Sequence, residues 1–567
     1  MSLRCGCAFF LEKLAIIKCR LSLPESVARH RYLLTDTQRY SMCLNSSYHP
    51  SLMRDGGDRQ LYLYTMCYGR DLEKPGVLEI IQSETADLSM HDIPYFYFRG
   101  CDRHLYNSQD KPVRNYFRQT AYGLMTGRLR GLCEPDRRHQ AELIHISLNI
   151  QKEIQVNGKP AGMPESGQSV PAREEYLELA ERMMGKILDR AVYIGEEPGW
   201  YVVNVAAFGA EGWQIEPMHM YLYGGVMGIA LLSHMLEKYI GRERYAALNR
   251  TLDKQLFSYT AQLEEMRLKS LRLGIYNGEM SIVYGYICLY RLTGGDIYLK
   301  YACRHAELVL PAAGREENCD LLDGLAGVIW GMLMLYEITG KVRYLEAARE
   351  AGDRLRRKAC HMKEGAGWLI NGEERPLLGM SHGNAGIAAA LAKLYAVTKE
   401  ESYYELLREA LAYENHYYSK ELQNWLDFRV KDEEERGRTD TAAWCHGAGG
   451  ILASRLMMRN MVEEDLRETV EQDIERAGRK LKEHCLREGM CLCHGSCGNV
   501  LLLMEYNSDL QAVKDYDAYI RGKLLEDTYT FLAQERYNPG LMNGFGGVVY
   551  YLLKQYDKSL FNVLKLD

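Results

Sequence analysis

Apolar helices and amphipathic helices alternate along most of the chain. The run from Gly386 to Tyr395 is apolar almost all round and rich in small residues, which is typical of a fully buried helix. From Tyr344 to Leu355, apolar residues recur at helical spacing while charged residues face away, which predicts a half-exposed helix. Several of the apolar runs end at a glycine such as Gly340, as helices often do. The pattern predicts pairs of one inner and one outer helix.

A short glycine motif precedes each apolar helix and occurs seven times. The first glycines of successive motifs lie 46 to 64 residues apart, which is enough for two helices and two connections. They are Gly225, Gly278, Gly324, Gly383, Gly447, Gly495 and Gly544. An open stack of repeats needs polar end repeats, but the last repeat here, at 546–553, is as apolar as the middle ones. The sequence therefore predicts a mainly α fold, an α/α toroid of seven helix pairs with all motif loops at one end.

Three side chains in the fifth and sixth motifs are suited to bind zinc. Cys445 and Cys493 lie two residues before their motif glycines, and His494 lies one residue before. A closed ring makes these repeats neighbours, and two thiolates with one imidazole leave a fourth position open, as in catalytic Zn²⁺ sites. Burial alone explains a lone cysteine, but it is a poor explanation for three donors in equivalent positions. His446 has the same motif position as His494 and competes with it on spacing alone.

The third and fourth motifs carry acid–base candidates. His382 lies one repeat before the first cysteine ligand, and a histidine beside a metal can donate or accept a proton at neutral pH. Asp320 and Asp323 lie one repeat earlier, where helix capping is an equally good explanation. Asn277 and Asn543 each directly precede a motif glycine. For these two residues as well, helix capping explains the position as well as a role in the central cavity of the toroid does.

Composition limits the class of protein. The chain has 567 residues, of which 47% are hydrophobic and 26% charged, so we expect a soluble globular protein with two or more domains. A formal net charge of −6 argues against nucleic acid as a partner. The apolar stretch from Ala8 to Ile17 is interrupted by Glu12 and Lys13, and the later run at 326–336 is too short to span a bilayer. We expect a cytoplasmic protein with reduced cysteines and no membrane span.

These motifs together resemble those of the lanthionine cyclases, the LanC-like family, whose fold is an α/α toroid. The likeness extends over 174–567, which we interpret as a cyclase domain. The segments that carry it are 320–327, 381–383, 444–447 and 493–495. The resemblance implies three zinc ligands, which are Cys445, Cys493 and His494. It also implies that His382 is the acid/base residue and Asp320 an active-site aspartate, and it places no ligand at His446.

Residues 1–150 resemble the closing part of the kinase-like dehydratase domain of class II, LanM-type, lanthipeptide synthetases, most clearly at 84–96. The resemblance implies that Arg31 and Thr37 are the phosphate-elimination pair, and an arginine suits a leaving phosphate. The sequence has no glycine-rich phosphate loop and no His-Gly-Asp catalytic loop. We therefore expect either the C-terminal part of a longer synthetase or a separate chain that supplies the missing dehydratase half. Residues 151–173, rich in glycine and proline, are typical of a linker.

The activity implied by the resemblance is thioether ring formation in a ribosomally made precursor peptide with a leader. A zinc-held peptide cysteine thiolate adds to dehydroalanine or dehydrobutyrine, which gives lanthionine or methyllanthionine, and His382 protonates the resulting enolate. One alternative is a catalytically silent toroid that binds peptides or thiols as a scaffold. Another is an α/α-barrel glycosidase, but such an enzyme requires a pair of acids and has no use for the cysteine–histidine cluster.

Overall fold

The computed structural model describes residues 29–68, 70–72, 74–131, 133–153, 172–194, 196–205, 213–241, 243–265, 272–370, 373–429, 441–487, 489–526 and 538–567. Two compact units meet in the chain between Ala141 and Glu142, inside the helix Glu134–Glu153. The predicted boundary at residue 150 falls in the same helix. Most of the predicted linker, at 154–171, lies outside the described residues, so the domain limits stay a prediction. Within the described ranges, every helix is too short or too polar to cross a bilayer.

The first unit contains a small antiparallel sheet and several short helices. The strands, in their order in the sheet, are β1 (Arg29–Arg31), β2 (Tyr97–Arg99), β3 (Leu105–Tyr106) and β4 (Pro112–Val113). The helices are α1 (Thr37–Ser46), α2 (Gly56–Tyr64), α3 (Val77–Ser89), α4 (Ala121–Gly131) and the beginning of α5 (Glu134–Glu153), with a 3-10 turn at Thr65–Cys67. Ile80 of α3 packs against Phe96, Leu105 and Val113 at the sheet. Burial of these apolar side chains is what holds α3 on the sheet.

The second unit is a double ring of helices with short hairpins between some of them. Its helices are α6 (Arg173–Leu188), α7 (Val226–Ile240), α8 (Glu243–Glu265), α9 (Glu279–Thr293), α10 (Asp296–Ala313), α11 (Leu325–Thr339), α12 (Val342–Lys358), α13 (Asn384–Thr398), α14 (Glu401–His416), α15 (Ala448–Met458), α16 (Glu464–Glu483), α17 (Ser496–Tyr506), α18 (Gln511–Leu525) and α19 (Phe545–Tyr556). The hairpins are β5–β6 (Val192–Ile194, Glu197–Gly199), β7–β8 (Tyr201–Val205, Trp213–Pro217), β9–β10 (Cys360–Met362, Gly365–Gly367) and β11–β12 (Tyr418–Ser419, Asn424–Trp425).

The odd-numbered helices from α7 to α19 form the inner ring. Each contacts the next one along the chain, and α19 contacts α7, so the ring is closed. Inner helices such as α11 and α13 are buried on nearly all sides, whereas α12 buries only one stripe, which includes Tyr344, Ala348 and Leu355. These features confirm the predicted mainly α fold and the seven-fold α/α toroid.

Helix α6 supplies the outer helix of the seventh repeat. It packs against α19, and the guanidinium Nε of Arg173 donates a hydrogen bond to the carbonyl oxygen of Tyr556 at 2.8 Å. The hydroxyl of Tyr176 also donates to the buried Asp517 of α18. The repeat pattern did not predict this arrangement, because every other outer helix follows its inner helix in the chain. The segment before the first motif thus closes the toroid.

The residues two positions before the motif glycines form a closed circle of main-chain hydrogen bonds, here called the loop ring. Each residue donates its N–H to the carbonyl oxygen of the equivalent residue in the next repeat, with N···O distances of 2.8 to 3.4 Å. In order they are Tyr223, Tyr276, Leu322, Ser381, Cys445, Cys493 and Met542, and Met542 donates back to Tyr223. The loop ring holds all seven motif loops together at one end of the barrel and makes these seven positions geometrically equivalent.

Helix capping does not explain the polar residues that precede the motif glycines. The N-cap of every inner helix is the motif glycine itself, so no side chain caps these helices. Asn277 instead donates from Nδ2 to Oδ1 of Asp323 at 3.0 Å. Asn543 lies against Gly224, where an added Cβ would be 3.2 Å from its Oδ1. The capping alternative for Asn277 and Asn543 is therefore wrong.

Candidate metal centre and acid–base pair

The loops before α15 and α17 bring together the three predicted zinc ligands. One donor atom from each of Cys445, Cys493 and His494 lies within 4.8 Å of the other two. Cys493 is buried, whereas Cys445 and His494 are partly exposed, so the group is accessible from one side. His446 is not a member of this group; its Nδ1 lies 3.2 Å from the carbonyl oxygen of Leu378, and its Nε2 lies 3.5 Å from Oγ of Ser381. Two sulfur donors, one nitrogen donor and one accessible side suit Zn²⁺ with a fourth position for substrate.

The two thiols lie close to each other, and this proximity separates their proton affinities. The neighbouring Cys493 thiol, helped by the charges of His494 and Arg429, lowers the pKa of Cys445 although burial opposes it. The same contact and burial raise the pKa of Cys493. Of the two thiols, Cys445 is therefore the one that releases its proton more readily. A metal ion competes with the proton that the pair shares, so the cluster is chemically matched to a cation.

Gly447 sets the position of Cys445. Its φ is +81°, in a region that L side chains rarely adopt, and an added Cβ would lie 1.6 Å from the carbonyl oxygen of Thr441. The chain pairs with itself at this point, since Ala442 and Gly447 form an antiparallel bridge. The tight turn between these residues directs the Cys445 thiol towards Cys493.

His382 and Asp320 form a hydrogen-bonded pair in the neighbouring loops. Nδ1 of His382 lies 2.6 Å from Oδ2 of Asp320, whose side chain is 1% exposed. The N–H of Asp323 and the side chain of Asn318 donate to the Asp320 carboxylate at 2.7 and 3.2 Å. Burial disfavours the charged imidazole, but the hydrogen bond and charge of Asp320 outweigh it and raise the pKa of His382. Because Asp320 occupies Nδ1, Nε2 is the atom through which His382 can serve a substrate.

Asp323 belongs to the same cluster. Oxygen atoms of Asp320 and Asp323 and a ring nitrogen of His382 lie within 4.8 Å of one another. Burial, and next the charge of Asp320, raise the pKa of Asp323. The partly exposed Asp323 is thus part of the acid–base cluster, and the alternative of a simple helix cap does not describe it.

Two further side chains affect the thiols and were not predicted from the sequence. Arg429 forms a two-point contact with the buried Asp427 at 2.6 and 2.9 Å, and its charge favours the Cys445 thiolate. Burial and the nearby thiols of Cys493 and Cys445 raise the pKa of the Tyr223 phenol. Arg429 lies outside the motifs and carries no sequence signal. Tyr223 has the same motif position as Cys445 and Cys493, so aligning the repeats would have identified it.

In the first unit, the predicted phosphate-elimination pair is in contact. Arg31 ends β1 and Thr37 begins α1, and Nη2 of Arg31 donates to Oγ1 of Thr37 at 3.3 Å. Both side chains are exposed. The Asp36 carboxylate caps α1 by accepting a hydrogen bond from the N–H of Gln38 at 2.8 Å. The arrangement brings the two predicted residues together, and their role in elimination stays a prediction.

Comparison with known proteins places this geometry in a family. The family model of lanthionine synthetase C-like proteins matches residues 216–566, and that of a domain of unknown function, DUF4135, matches residues 18–99. The lacticin 481/lactococcin biosynthesis protein LcnDR2 of Lactococcus lactis subsp. lactis is 26% identical over 96% of this chain and 57% of its own length. The chain thus spans little more than half the length of this relative.

Two solved structures are similar at low sequence identity. Nisin cyclase is 14% identical, with 69% of this chain and 97% of that chain covered and a TM-score of 0.49. An unsaturated glucuronyl hydrolase from Bacillus sp. GL1 is 11% identical, with 69% and 98% covered and a TM-score of 0.39. Superpositions this loose do not bear on function. The two family models and LcnDR2 confirm the resemblance to LanM-type synthetases, and the first model spans all seven motif loops and inner helices. The chain belongs to the lanthionine synthetase C-like family.

Proposed function

We propose that the toroid is a lanthipeptide cyclase, which closes thioether rings in a ribosomally made precursor peptide. One observation carries the proposal. The donor atoms of Cys445, Cys493 and His494 lie within 4.8 Å of one another. In the neighbouring repeat of the toroid, His382 is held by a hydrogen bond to the buried Asp320. Membership of the lanthionine synthetase C-like family and the match to LcnDR2 support the class of substrate.

Cys445, Cys493 and His494 are the proposed zinc ligands. A zinc ion bound by these residues would lower the pKa of a peptide cysteine thiol and supply its thiolate at neutral pH. The lowered pKa of Cys445 supports this role, because a thiol that releases its proton readily loses less free energy when it binds a metal as thiolate. The partial exposure of Cys445 and His494 leaves a path for the peptide.

His382 is the proposed proton donor. When a thiolate adds to the β-carbon of dehydroalanine or dehydrobutyrine, a C–S bond forms, the C=C π bond breaks and its electron pair moves to the α-carbon as an enolate. That carbon must then gain a proton. Asp320 orients His382 through Nδ1 and raises its pKa, which keeps the second ring nitrogen protonated for this step. One proton leaves the thiol and one is gained, so the peptide keeps its mass.

The test uses the full chain, zinc and a precursor peptide that has been dehydrated beforehand and still carries its cysteines. We expect an unchanged peptide mass together with the loss of one alkylatable thiol for each ring formed. Cys445→Ala should lose both zinc and ring formation, whereas His382→Ala should keep zinc and lose ring formation. Cys288→Ala is the matched control, because it removes a thiol buried in α9, and should behave as the wild type.

Two outcomes would contradict the proposal in different ways. Full zinc occupancy in Cys445→Ala would refute the ligand assignment. A wild-type protein that binds zinc and the dehydrated peptide but leaves every thiol alkylatable would instead support a silent scaffold.

A further inference from the structure

Residues 560–566, here called the inner segment, follow α19 as an irregular stretch of chain. Val563 and Leu564 are fully buried, and Leu566 is 2% exposed. A buried segment without regular structure must find partners for its main-chain N–H and carbonyl groups in other parts of the protein. These partners show where the inner segment lies.

The partners come from five of the seven repeats. Three carbonyl oxygens of the inner segment accept hydrogen bonds from aromatic side chains, which are Tyr276 to Val563 at 2.7 Å, Trp444 to Leu564 at 3.0 Å and Trp330 to Leu566 at 3.3 Å. The N–H of Val563 donates to the hydroxyl of Tyr550 in α19 at 3.1 Å. Nδ2 of Asn562 donates to Oε1 of Glu505 in α17 at 2.9 Å. Every partner lies in an inner helix or a motif loop, so the inner segment runs inside the inner ring.

Two of the aromatic donors belong to the motif loops. Tyr276 is a member of the loop ring, and Trp444 directly precedes the proposed ligand Cys445. Trp444 is fully buried, and its ring meets that of Tyr276 edge to face, with the centroids 4.8 Å apart. The peptide bond that joins Trp444 to Cys445 is planar and stiff, so the orientation of the first residue limits that of the second.

We propose that the inner segment supports the metal centre from inside the barrel: the carbonyl group of Leu564 holds the Trp444 indole and thereby fixes the loop that carries Cys445. The inference rests on the proposed zinc site and adds two positioning residues to it. Without this hydrogen bond, a buried carbonyl group and a buried indole N–H lose their partners, and the loop can shift to find others. Small shifts matter, because metal–ligand distances vary by only about 0.2 Å.

A tryptophan elsewhere in the toroid provides a matched control. Nε1 of Trp368 donates to the carbonyl oxygen of Leu355 at 2.8 Å, and the side chain is 2% exposed. Trp368 lies between β10 and α13, outside the motif loops. Replacing it by phenylalanine removes the same kind of buried hydrogen bond without touching the loop of Cys445.

The first test measures the zinc dissociation constant of Trp444→Phe, Trp368→Phe and the wild type by competition with a chromophoric chelator. Trp444→Phe should bind zinc about 10- to 100-fold more weakly, as is typical when a residue that orients a metal ligand is lost. Trp368→Phe should keep the wild-type value. A merely structural role of Trp444 would lower stability in both variants and leave zinc binding unchanged.

The second test removes the acceptor instead of the donor, in a chain that stops after Val563. This shortened chain should bind zinc more weakly by a similar factor. Adding Trp444→Phe to it should weaken zinc binding no further, because both changes remove the same hydrogen bond.

An unchanged zinc dissociation constant in Trp444→Phe would overturn the inference, and so would losses that multiply when the two changes are combined. A wild-type protein that binds no zinc would instead refute the proposed zinc site, so the two failures are distinguishable. If circular dichroism shows that either variant misfolds, Trp330→Phe replaces it, because it removes the donor to Leu566 and loosens the same segment. Zinc binding in Trp330→Phe as tight as in Trp368→Phe would then overturn the role of the inner segment.

Discussion

Replacing Gly447 by alanine should destroy the metal centre and leave the toroid folded. The φ of +81° is costly for a residue with a Cβ, by about 1 to 3 kcal/mol. The larger effect is steric, because the new Cβ would lie 1.6 Å from the carbonyl oxygen of Thr441. Restoring an ordinary contact requires the two segments to separate by roughly 2 Å. Metal–ligand distances tolerate only about 0.2 Å, so Cys445, two residues away, should leave the site.

Gly340→Ala is the matched control. Gly340 also has a positive φ, of +67°, but an added Cβ there has no neighbour within 4 Å. It should cost about 1 to 2 kcal/mol of stability and keep zinc binding intact. Zinc content after dialysis, measured by atomic absorption, and the far-ultraviolet circular dichroism of both variants provide the assay. A Gly447→Ala protein with wild-type zinc stoichiometry and affinity would refute the argument that this turn positions Cys445.

Two further variants test other parts of the toroid. Asp320→Asn removes the carboxylate that raises the pKa of His382. At equal zinc content, the alkaline limb of the pH–rate profile of ring formation should therefore move to lower pH than in the wild type. An unmoved alkaline limb would contradict His382 as the proton donor. Arg455→Met leaves Glu414 and Asp473 buried without the cation that contacts them at 2.9 and 3.0 Å, which should lower the free energy of unfolding in urea by about 3 to 5 kcal/mol at pH 7. Burial raises the pKa of Glu414, so this carboxyl destabilises the folded protein only when the pH is high enough to ionise it. The loss of unfolding free energy caused by Arg455→Met should therefore be smaller at pH 5 than at pH 7. Equal losses at the two pH values would argue against buried charge as the cause.

The sequence predicted those features that repeat along the chain. Seven motifs with apolar helices behind them were enough to predict the closed toroid, and equivalent motif positions were enough to bring Cys445 and Cys493 together. Features that depend on a single long-range contact were missed. Helix α6 completes the seventh repeat from the opposite end of the unit, and Arg429 reaches the thiols from an irregular segment through its contact with Asp427. Periodicity carries no information about such pairings, because each occurs once.

The loop ring also affects how sites of this kind can change. Each of its seven members uses its N–H, so proline is excluded from all seven positions. The side chains are not restricted by these bonds, and they already range from cysteine to leucine, serine, methionine and tyrosine. A donor group can therefore be gained or lost at any one of the seven by a single substitution that leaves the main chain unchanged. The toroid separates the frame that sets distances from the side chains that set reactivity, so new chemistry can arise without a new fold.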